Sequence, residues 1–243
     1  MADLVYRSVM RDIKQKILKN EYAGMRLPDE RSLSETYGVS RSSIKRALGI
    51  LAQQGIIFKK RGSGTFINPL YLKNQSLFHY EGSNLGITDS FQLDGKKQSI
   101  RLLDYQVVPA NADIQEELFL SNTDFVYQIK RLRLIDDQPF MIETGFIPIK
   151  IVPTLSPAVV NSSIFNYLED TKGKRVTKSF TTISVSPSTA DDQKLLELKP
   201  TEPVAVMDGV FFLDDGTPFE VSSMRIHYRY MRYSTFINLD QEG

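Results

Sequence analysis

Apolar residues recur at a helical period along the first part of the chain. They lie four residues apart, with basic side chains between them, at Val5, Val9, Ile13 and Ile17. This spacing predicts an amphipathic helix that turns one face towards a core and carries a basic outer surface. The helix is expected to end before Gly24, because glycine disfavours helical continuation.

Two further helices are predicted next. Leu33 and Tyr37 supply the inward face of a short helix that stops at Gly38. Ser40 is a good N-cap for a third helix, since its hydroxyl can accept a hydrogen bond from a free backbone N–H. This third helix is expected to end at Gly55 in the left-handed conformation. Its core-facing residues are Ile44, Leu48 and Leu51.

A β-hairpin is predicted after the third helix. Residues 56–58 and 65–67 are β-prone runs, and the basic, glycine-containing segment 59–64 separates them. Three helices followed by such a hairpin are typical of a winged helix-turn-helix, in which the hairpin is the wing. A small helical domain with a charged hairpin would show the same local pattern, so the pattern leaves both interpretations open.

The remainder of the chain alternates between strand and helix patterns. Strands are predicted at residues 100–108, 125–135, 140–146, 176–185, 204–213 and 219–229, and helices at 112–118, after Ser163 and after Thr189. Hairpins with scattered helices predict an α+β domain built on an antiparallel sheet. We therefore expect a domain at residues 1–68, a linker without regular structure at 69–77 and a second domain at 78–243.

Charge is segregated between the two predicted domains. Residues 1–68 contain 13 Lys and Arg against 6 Asp and Glu, a net charge of +7, whereas the rest contains 17 against 23, a net charge of −6. A small basic segment joined to a larger acidic one is what attraction to phosphates by one end requires. A basic face can also be merely solvated, so the asymmetry alone does not decide for nucleic acid.

Composition excludes several other classes of protein. The chain has no cysteine, and its two histidines, His79 and His227, are far apart, so we expect no metal, no thiol chemistry and no cofactor. No run approaches the roughly 20 apolar residues of a membrane helix, and the start of the chain lacks the plan of a signal peptide. The sequence therefore predicts a cytoplasmic protein with no membrane partner.

The start of the third helix offers the donors that DNA recognition needs. A recognition helix presents its first turns to the major groove, where hydroxyls allow close approach and long cations reach phosphates or guanine edges. One dimer with two such helices matches a palindromic site, so a homodimer is expected. The exposed candidates on this helix are Arg41, Ser42, Ser43, Lys45 and Arg46.

Several separated motifs in the first 68 residues agree in order with one family. They are Leu-Pro-Asp-Glu-Arg at 27–31, Tyr-Gly-Val-Ser-Arg at 37–41 and Gly-Ser-Gly-Thr-Phe at 62–66. The segment 4–67 resembles the DNA-binding domain of the GntR family of bacterial repressors. The resemblance implies a palindromic double-stranded operator and a wing in the minor groove. With the basic hairpin, the candidate DNA-binding set is Arg31, Arg41, Ser42, Ser43, Lys45, Arg46, Lys60 and Gly64.

Two segments depart from the usual pattern of that family, one at a single residue and one at three consecutive residues. Asp29 stands where the family more often has Ser, and Ser43, Ile44 and Lys45 stand where it more often has Thr, Val and Arg. Lys in place of Arg loses the bidentate geometry of a guanidinium. The operator preference or affinity is therefore expected to differ from that of a typical member.

A pair of arginines marks a candidate site in the second domain. Arg131 and Arg133 lie two apart on a predicted strand, so both point to one face of the sheet. Two like charges there favour an anion between them, because guanidinium groups hold phosphate or carboxylate in bidentate fashion. They could equally be ion-pair partners of Glu143 or Glu220. A shift of one residue in strand register would move Glu143 to the opposite face from Arg133.

The second domain resembles a known effector domain through weaker, more widely spread motifs. These include Gly-Ile-Thr-Asp at 86–89, Arg-Leu-Arg at 131–133, Ser-Ile-Phe at 163–165 and Tyr-Arg at 228–229. Most of residues 77–239 is similar to the UTRA domain of the HutC subfamily of GntR regulators, whose fold is similar to chorismate lyase. The resemblance implies that a sugar phosphate or another small acid binds between the sheet and a loop.

The candidate effector-binding residues combine this resemblance with the local chemistry. Hydroxyls near a helix start can receive a phosphate, and carboxylates can accept hydrogen bonds from effector hydroxyl or amino groups. Phe165 stands where many relatives carry Tyr, which removes one possible hydrogen bond. The full set is Thr88, Ser90, Arg131, Arg133, Glu143, Ser163, Phe165, Glu220 and Tyr228.

The predicted function is a DNA-binding transcriptional regulator, a repressor rather than an enzyme, whose operator binding responds to a small anionic effector. Two alternatives stay open. A chorismate-lyase-like enzyme fused to a DNA-binding domain would share the fold, and fold alone does not decide function. Alternatively, the second domain only dimerises. The last hairpin is a candidate interface, or simply buried core, through Val204, Val206, Val210, Phe211 and Phe212.

Overall fold

The computed structural model describes residues 2–73 and 97–233. These residues form two compact units, one from each segment, and each unit has its own apolar core. In these two segments no helix combines the length and the apolar character that crossing a membrane requires.

The first unit consists of helices followed by a hairpin. Its elements are α1 (Ala2–Leu18), a short 3₁₀ turn (Ala23–Met25), α2 (Glu30–Tyr37), α3 (Arg41–Gln53), β1 (Ile57–Lys60), β2 (Gly64–Ile67) and α4 (Pro69–Lys73). β1 and β2 pair in antiparallel register. This confirms the predicted winged helix-turn-helix arrangement of three helices and a wing.

The apolar face of α1 differs in one position from the prediction. Ile13 and Ile17 are fully buried, but Val5 is 37% exposed and Tyr6 is buried instead. A spacing of four residues drifts by about 40° per step around a helix of 3.6 residues per turn, so Val5 leaves the face that Ile13 defines. Tyr6 lies seven residues before Ile13, nearly two full turns, and stays on that face.

Local capping sets the ends of the helices in the helix-turn-helix. The Asp29 side chain accepts hydrogen bonds from the backbone N–H groups of Arg31 and Ser32, both at 2.9 Å, and so caps α2. α2 ends at Gly38, whose φ of +61° is left-handed. Ser40 caps α3 by accepting from the Ser43 N–H at 3.2 Å. These interactions confirm the predicted boundaries.

The start of the predicted linker is helical rather than irregular. Residues 69–73 form α4, because proline is compatible with the first turn of a helix and Asn68 accepts a hydrogen bond from the Leu70 N–H at 3.0 Å. Tyr71 packs partly buried against the core of the first unit. Residues 74–77 lie outside the described part of the chain.

The second unit is built on one six-stranded antiparallel sheet. In chain order its elements are β3 (Gln98–Pro109), α5 (Ala112–Leu118), β4 (Phe125–Ile135), β5 (Gln138–Pro148), α6 (Pro157–Val160), α7 (Ile164–Lys172), β6 (Val176–Pro187), α8 (Ala190–Leu195), β7 (Pro203–Leu213), β8 (Pro218–His227) and a 3₁₀ turn (Tyr228–Tyr230). The strand order is β3-β4-β5-β8-β7-β6. The structure confirms the α+β class with an antiparallel sheet.

Apolar cores lie on both faces of the central strands of this sheet. One face packs Ile129, Met207 and Phe211 with residues of α7 such as Leu168. The opposite face packs Leu132 and other apolar residues with the α8 segment. Because successive residues of a strand point to opposite faces, β4 contributes to both cores.

The last hairpin belongs mainly to these cores. Val204, Val206 and Phe211 are buried within the unit, and Val210 and Phe212 are half-buried. Burial within one chain therefore accounts for most of the apolar residues that made the hairpin a candidate interface.

Candidate functional site

The N-terminal turns of α3 are exposed in the way that a recognition helix requires. Arg41, Ser42 and Lys45 are exposed, whereas Ile44 behind them is fully buried. The hydroxyls of Ser42 and Ser43 lie 2.8 Å and 2.9 Å from the Ser40 Oγ. The helix therefore presents a short hydroxyl cluster beside two long cations.

Arg46 is positioned by the first helix. Its guanidinium carbon lies 4.1 Å from the ring centroid of Tyr6, a cation–π arrangement that keeps the charge accessible while restricting its position. Tyr6 is the residue that lies on the buried face of α1 where the sequence pattern had predicted Val5. The packing of α1 thus determines where one of the predicted DNA-binding cations stands.

The tip of the wing depends on glycine geometry. Gly62 and Gly64 have φ values of +73° and +117°, and Gly64 pairs with Lys60. A side chain at Gly64 would also crowd Arg26, because an added Cβ would lie 3.1 Å from the Arg26 Nε and Nη2. The predicted Lys60 and Gly64 therefore lie together at the tip.

Arg26 is a basic residue beside the wing that was not predicted from the sequence. It forms an isolated antiparallel bridge with Phe66, and its guanidinium lies 5.8 Å from the Phe66 ring centroid. Arg26 is exposed and adds one more cation beside Gly64. Arg26 and Phe66 are 40 positions apart in the sequence, so no local pattern indicates that they are in contact.

Arg31 lies at the start of α2 and is exposed. Its Nε donates to Glu35 Oε1 at 3.1 Å, one turn along the helix. The two side chains are 79% and 68% exposed, and such surface pairs are weak. A phosphate can therefore replace Glu35 as the partner of Arg31 at little cost.

A pocket in the second unit brings together most of the predicted effector-binding residues. It lies between β4, β5, β7, β8 and the start of α7. Its lining residues are Arg131, Arg133, Glu143, Ser163, Ile164, Phe165, Phe211, Glu220, Ser222 and Met224. Thr88 and Ser90 lie outside the described residues.

Tyr228 is not brought to this pocket. Its hydroxyl donates to Glu202 Oε1 at 3.0 Å, and its ring packs against the core on the α8 face of the sheet. The strand β8 ends one residue earlier, at His227, so the alternation that directs Glu220 into the pocket does not continue to Tyr228.

Strand register places one carboxylate between the two arginines. Arg131 pairs directly with Glu143 across β4 and β5, so the three side chains share one face of the sheet. Arg131 Nη2 and Arg133 Nε donate to the same atom, Glu143 Oε2, at 2.8 Å and 2.9 Å. The three side chains are about 95% buried. The ion-pair interpretation of the arginines is thus correct for Glu143.

Arg131 has donors directed to more than one partner. Its Nη1 donates to the backbone oxygens of Val160 and Ser162, at 3.1 Å and 3.3 Å, just before α7. Its Nε has no hydrogen-bond partner among the residues that the structure describes. A buried guanidinium N–H without an acceptor is costly, so this atom marks a position where an added acceptor would stabilise the site.

The two carboxyl groups of the pocket have opposite protonation behaviour. Burial opposes ionisation of Glu143, but Arg131 and Arg133 outweigh it and lower its pKa. Burial together with the charge of Glu143 raises the pKa of Glu220 to about 8. At neutral pH Glu143 is therefore a carboxylate and Glu220 is a neutral acid.

The wall of the pocket around Phe165 is apolar. The Phe165 ring packs edge-on against Phe211 and Phe219, with centroid distances of 5.5 Å and 5.7 Å. Ser163 stands beside it as the N-cap of α7 and accepts from the Asn166 N–H at 3.3 Å. The pocket thus combines a polar floor on the sheet with an aromatic wall.

Four lining residues were not predicted from sequence. Ser222 and Met224 lie two and four residues after Glu220 on β8, so the alternation of a strand could have identified them. Phe211 was assigned to the hairpin, and Ile164 was recognised only as a core residue of its helix.

The fold and the pocket together define a class of protein: a winged-helix DNA-binding regulator with a buried, charged pocket in its second domain. Residues 5–67 match the model of the bacterial regulatory proteins of the gntR family, and residues 94–233 match that of the UTRA domain. The chain belongs to the GntR family, carries a UTRA domain and is a transcriptional regulator. The family resemblance drawn from its motifs is confirmed.

Known relatives extend over nearly the whole chain. The transcriptional regulator GmuR of Bacillus subtilis strain 168 is 28% identical over 90% of this chain and 92% of its own length. MngR of Escherichia coli strain K12, the mannosyl-D-glycerate transport/metabolism system repressor, is 27% identical over 90% and 89%. The crystal structure of YydK from B. subtilis superposes with a TM-score of 0.77 at 24% identity, covering 96% of this chain and 99% of that one. This last likeness concerns the fold.

Proposed function

We propose that this regulator is a repressor whose operator binding is modulated by a small anionic effector, such as a sugar phosphate or an organic acid. The effector binds in the pocket of the second unit. The observation that carries the proposal is the geometry of the positive charges there: two buried guanidinium groups share one carboxylate oxygen, and the Arg131 Nε has no partner among the described residues.

The charge balance of the pocket favours an anion over a neutral ligand. Arg131, Arg133 and Glu143 together carry a net charge of +1, and Glu220 adds none at neutral pH. A buried net charge is costly unless it is paired. An anionic group accepting from the Arg131 Nε would complete both the charge and the hydrogen bonding.

The start of α7 adds a second source of positive potential. This helix has nine residues, and its first N–H groups lie beside the pocket at Ser163 and Ile164. Free N–H groups and the helix dipole favour an anion at such a position. The MngR name, which refers to a sugar acid, agrees with this ligand class.

The first prediction concerns the effector. In thermal unfolding, one member of a panel of hexose 6-phosphates and aldonates is expected to raise the melting temperature of the wild type by several degrees, because a ligand stabilises the state that binds it. Arg131→Lys keeps the charge but removes the Nε, so the shift is expected to fall by more than half.

The control for this experiment is Lys172→Ala, which removes an exposed cation at the end of α7. It is expected to leave the shift unchanged. An unchanged shift in Arg131→Lys would contradict the assigned site, and no shift with any member would favour a second domain that only dimerises.

We further propose that the chain acts as a homodimer on a palindromic operator. One winged helix reads only a half-site, and a two-fold dimer matches a palindrome. The edge strand β6 exposes Ile183 and Val185 on one face and Phe180 on the other, so its apolar side chains and free edge are available to a second copy. Both α3 helices would then contact the major groove through Arg41, Ser42, Ser43 and Lys45.

The second prediction concerns operator binding. With a duplex selected by the wild type from random sequences, Arg41→Ala is expected to weaken binding about 10- to 100-fold, since a base or phosphate contact is lost. Fluorescence anisotropy at fixed salt measures the affinity, and two chains are expected per duplex. Lys199→Ala, an exposed change in the second unit, is the control; equal affinity for both variants would contradict the assigned recognition helix.

A further inference from the structure

Ser222 is a buried hydroxyl that the proposed function does not yet use. The residue is 1% exposed and lines the effector pocket. Its Oγ has no hydrogen-bond partner among residues 2–73 and 97–233. Most buried hydroxyls in proteins are hydrogen-bonded, and one without a partner is destabilising. Alanine would fill the same space on the sheet without this cost, which points to a partner from outside the described fold.

The two strands beside Ser222 place no side chain directly opposite it. On β5 its direct partner is Gly145, and on β7 it is Gly209, so neither neighbour contributes a side chain to this row. The Glu220 carboxyl occupies the space above Gly145, where a Cβ would collide with Oε1. Ser222 therefore lies beside Glu220, and the Thr181 hydroxyl lies over the facing Gly209.

This polar position is separate from the arginines. Arg131 and Arg133 lie on β4, and β5 separates that strand from β8, which carries Ser222 and Glu220. At neutral pH the β4 side offers positive charge, whereas the β8 side offers two uncharged groups that can donate and accept hydrogen bonds. A ligand that pairs with the arginines on β4 and also hydrogen-bonds the groups on β8 needs an anionic group and, separately, one or more hydroxyl groups.

We propose that Ser222 is a specificity-determining residue that hydrogen-bonds a hydroxyl of the effector while Arg131 holds its anionic group. The proposal rests on the proposed effector function and narrows it to polyhydroxylated acids, such as sugar phosphates, over simple acids. Ser222 discriminates because a simple anion fills the arginine side and leaves the Ser222 hydroxyl without a partner.

The test compares two ligands and three variants by titration calorimetry on the full chain. Glucose 6-phosphate carries both groups, whereas inorganic phosphate carries only the anion. Ser222→Ala and the isosteric Ser222→Cys are expected to weaken glucose 6-phosphate binding about 3- to 10-fold, the effect of one neutral hydrogen bond, and to leave phosphate binding unchanged. Ser223→Ala, the adjacent residue on the opposite face, is expected to change neither.

Thermal unfolding without ligand separates this role from a structural one. Ser222→Ala is expected to melt at the wild-type temperature or a few degrees above it, because it removes a buried polar group without a partner. A fall of more than about 4 °C would show that the hydroxyl is bonded within the protein and would overturn the inference. Equal weakening of both ligands, or of neither, would also overturn it and leave the effector function standing. If the wild type binds neither ligand, the sugar-phosphate effector and this inference fail together.

Discussion

Replacing Glu143 by alanine is expected to destabilise the second unit by about 3–5 kcal/mol, since breaking a buried ion pair leaves an uncompensated buried charge. Glu143 Oε2 accepts from both Arg131 and Arg133, and all three side chains are buried. Without it, two buried guanidinium groups would lie on one face of the sheet with no carboxylate between them. Urea denaturation followed by far-UV circular dichroism measures the loss.

A surface ion pair of the same unit provides the control for Glu143. Arg175 and Asp214 approach to 3.7 Å, and both side chains are about one third exposed. Asp214→Ala is expected to cost less than about 1 kcal/mol, because solvent already screens this pair. Similar losses in the two variants would contradict the assignment of Glu143 as the central counter-ion of the pocket. Glu143→Gln keeps one acceptor, so its loss of stability is expected to lie between those of Glu143→Ala and Asp214→Ala.

The pH dependence of stability is expected to change when Glu220 is replaced by glutamine. Burial and the charge of Glu143 raise the pKa of Glu220 from 4.5 to about 8 in the folded protein. Between these values the folded state binds a proton that the unfolded state has lost. The stabilising contribution of this proton is complete below pH 4.5 and is lost as the pH rises through 8, by up to about 1.4 kcal/mol per pH unit.

Denaturation of the wild type and Glu220→Gln at a series of pH values tests this sign. The glutamine variant does not titrate, so its stability relative to the wild type is expected to rise steadily from pH 5 to pH 8. Glu202→Gln is the matched control, since hydrogen bonds from the Lys199 backbone and Tyr228 lower the pKa of Glu202. Glu202 therefore titrates below pH 5, and the unfolding free energy of Glu202→Gln is expected to depend on pH between 5 and 8 in the same way as that of the wild type. A parallel profile for Glu220→Gln would show that Glu220 is ionised in the folded protein.

Much of the first unit could be predicted because the ends of its helices are set by contacts between residues only a few positions apart in the sequence. The Asp29 and Ser40 caps reach backbone N–H groups two or three residues away, and Gly38 ends α2 through its own backbone conformation. In the second unit, the strand predicted at residues 125–135 has the same bounds as β4. Helices, strands, the wing and the family could therefore be predicted from residue order.

The pairing inside the pocket depended on tertiary structure. Sequence placed Arg131 and Arg133 on one face, but only the register of β4 and β5 decided that Glu143 joins them. A bulge shifts that register between Arg133 and Leu134. One residue of slip would have sent the carboxylate to the other side of the sheet, and no local propensity distinguishes these alternatives.

Other features depended on where distant segments pack. Tyr228 hydrogen-bonds Glu202 because β8 ends before it. Arg26, which precedes α2, pairs with Phe66 of the hairpin. Ser222 became a candidate contact only once Gly145 and Gly209 were found on its two neighbouring strands. Local order along the chain determined the elements and the types of chemistry they carry. Long-range strand pairing and burial decided which groups meet, which carboxyl group has its pKa raised and which buried donors have no partner among the described residues, because these depend on neighbours far apart in sequence.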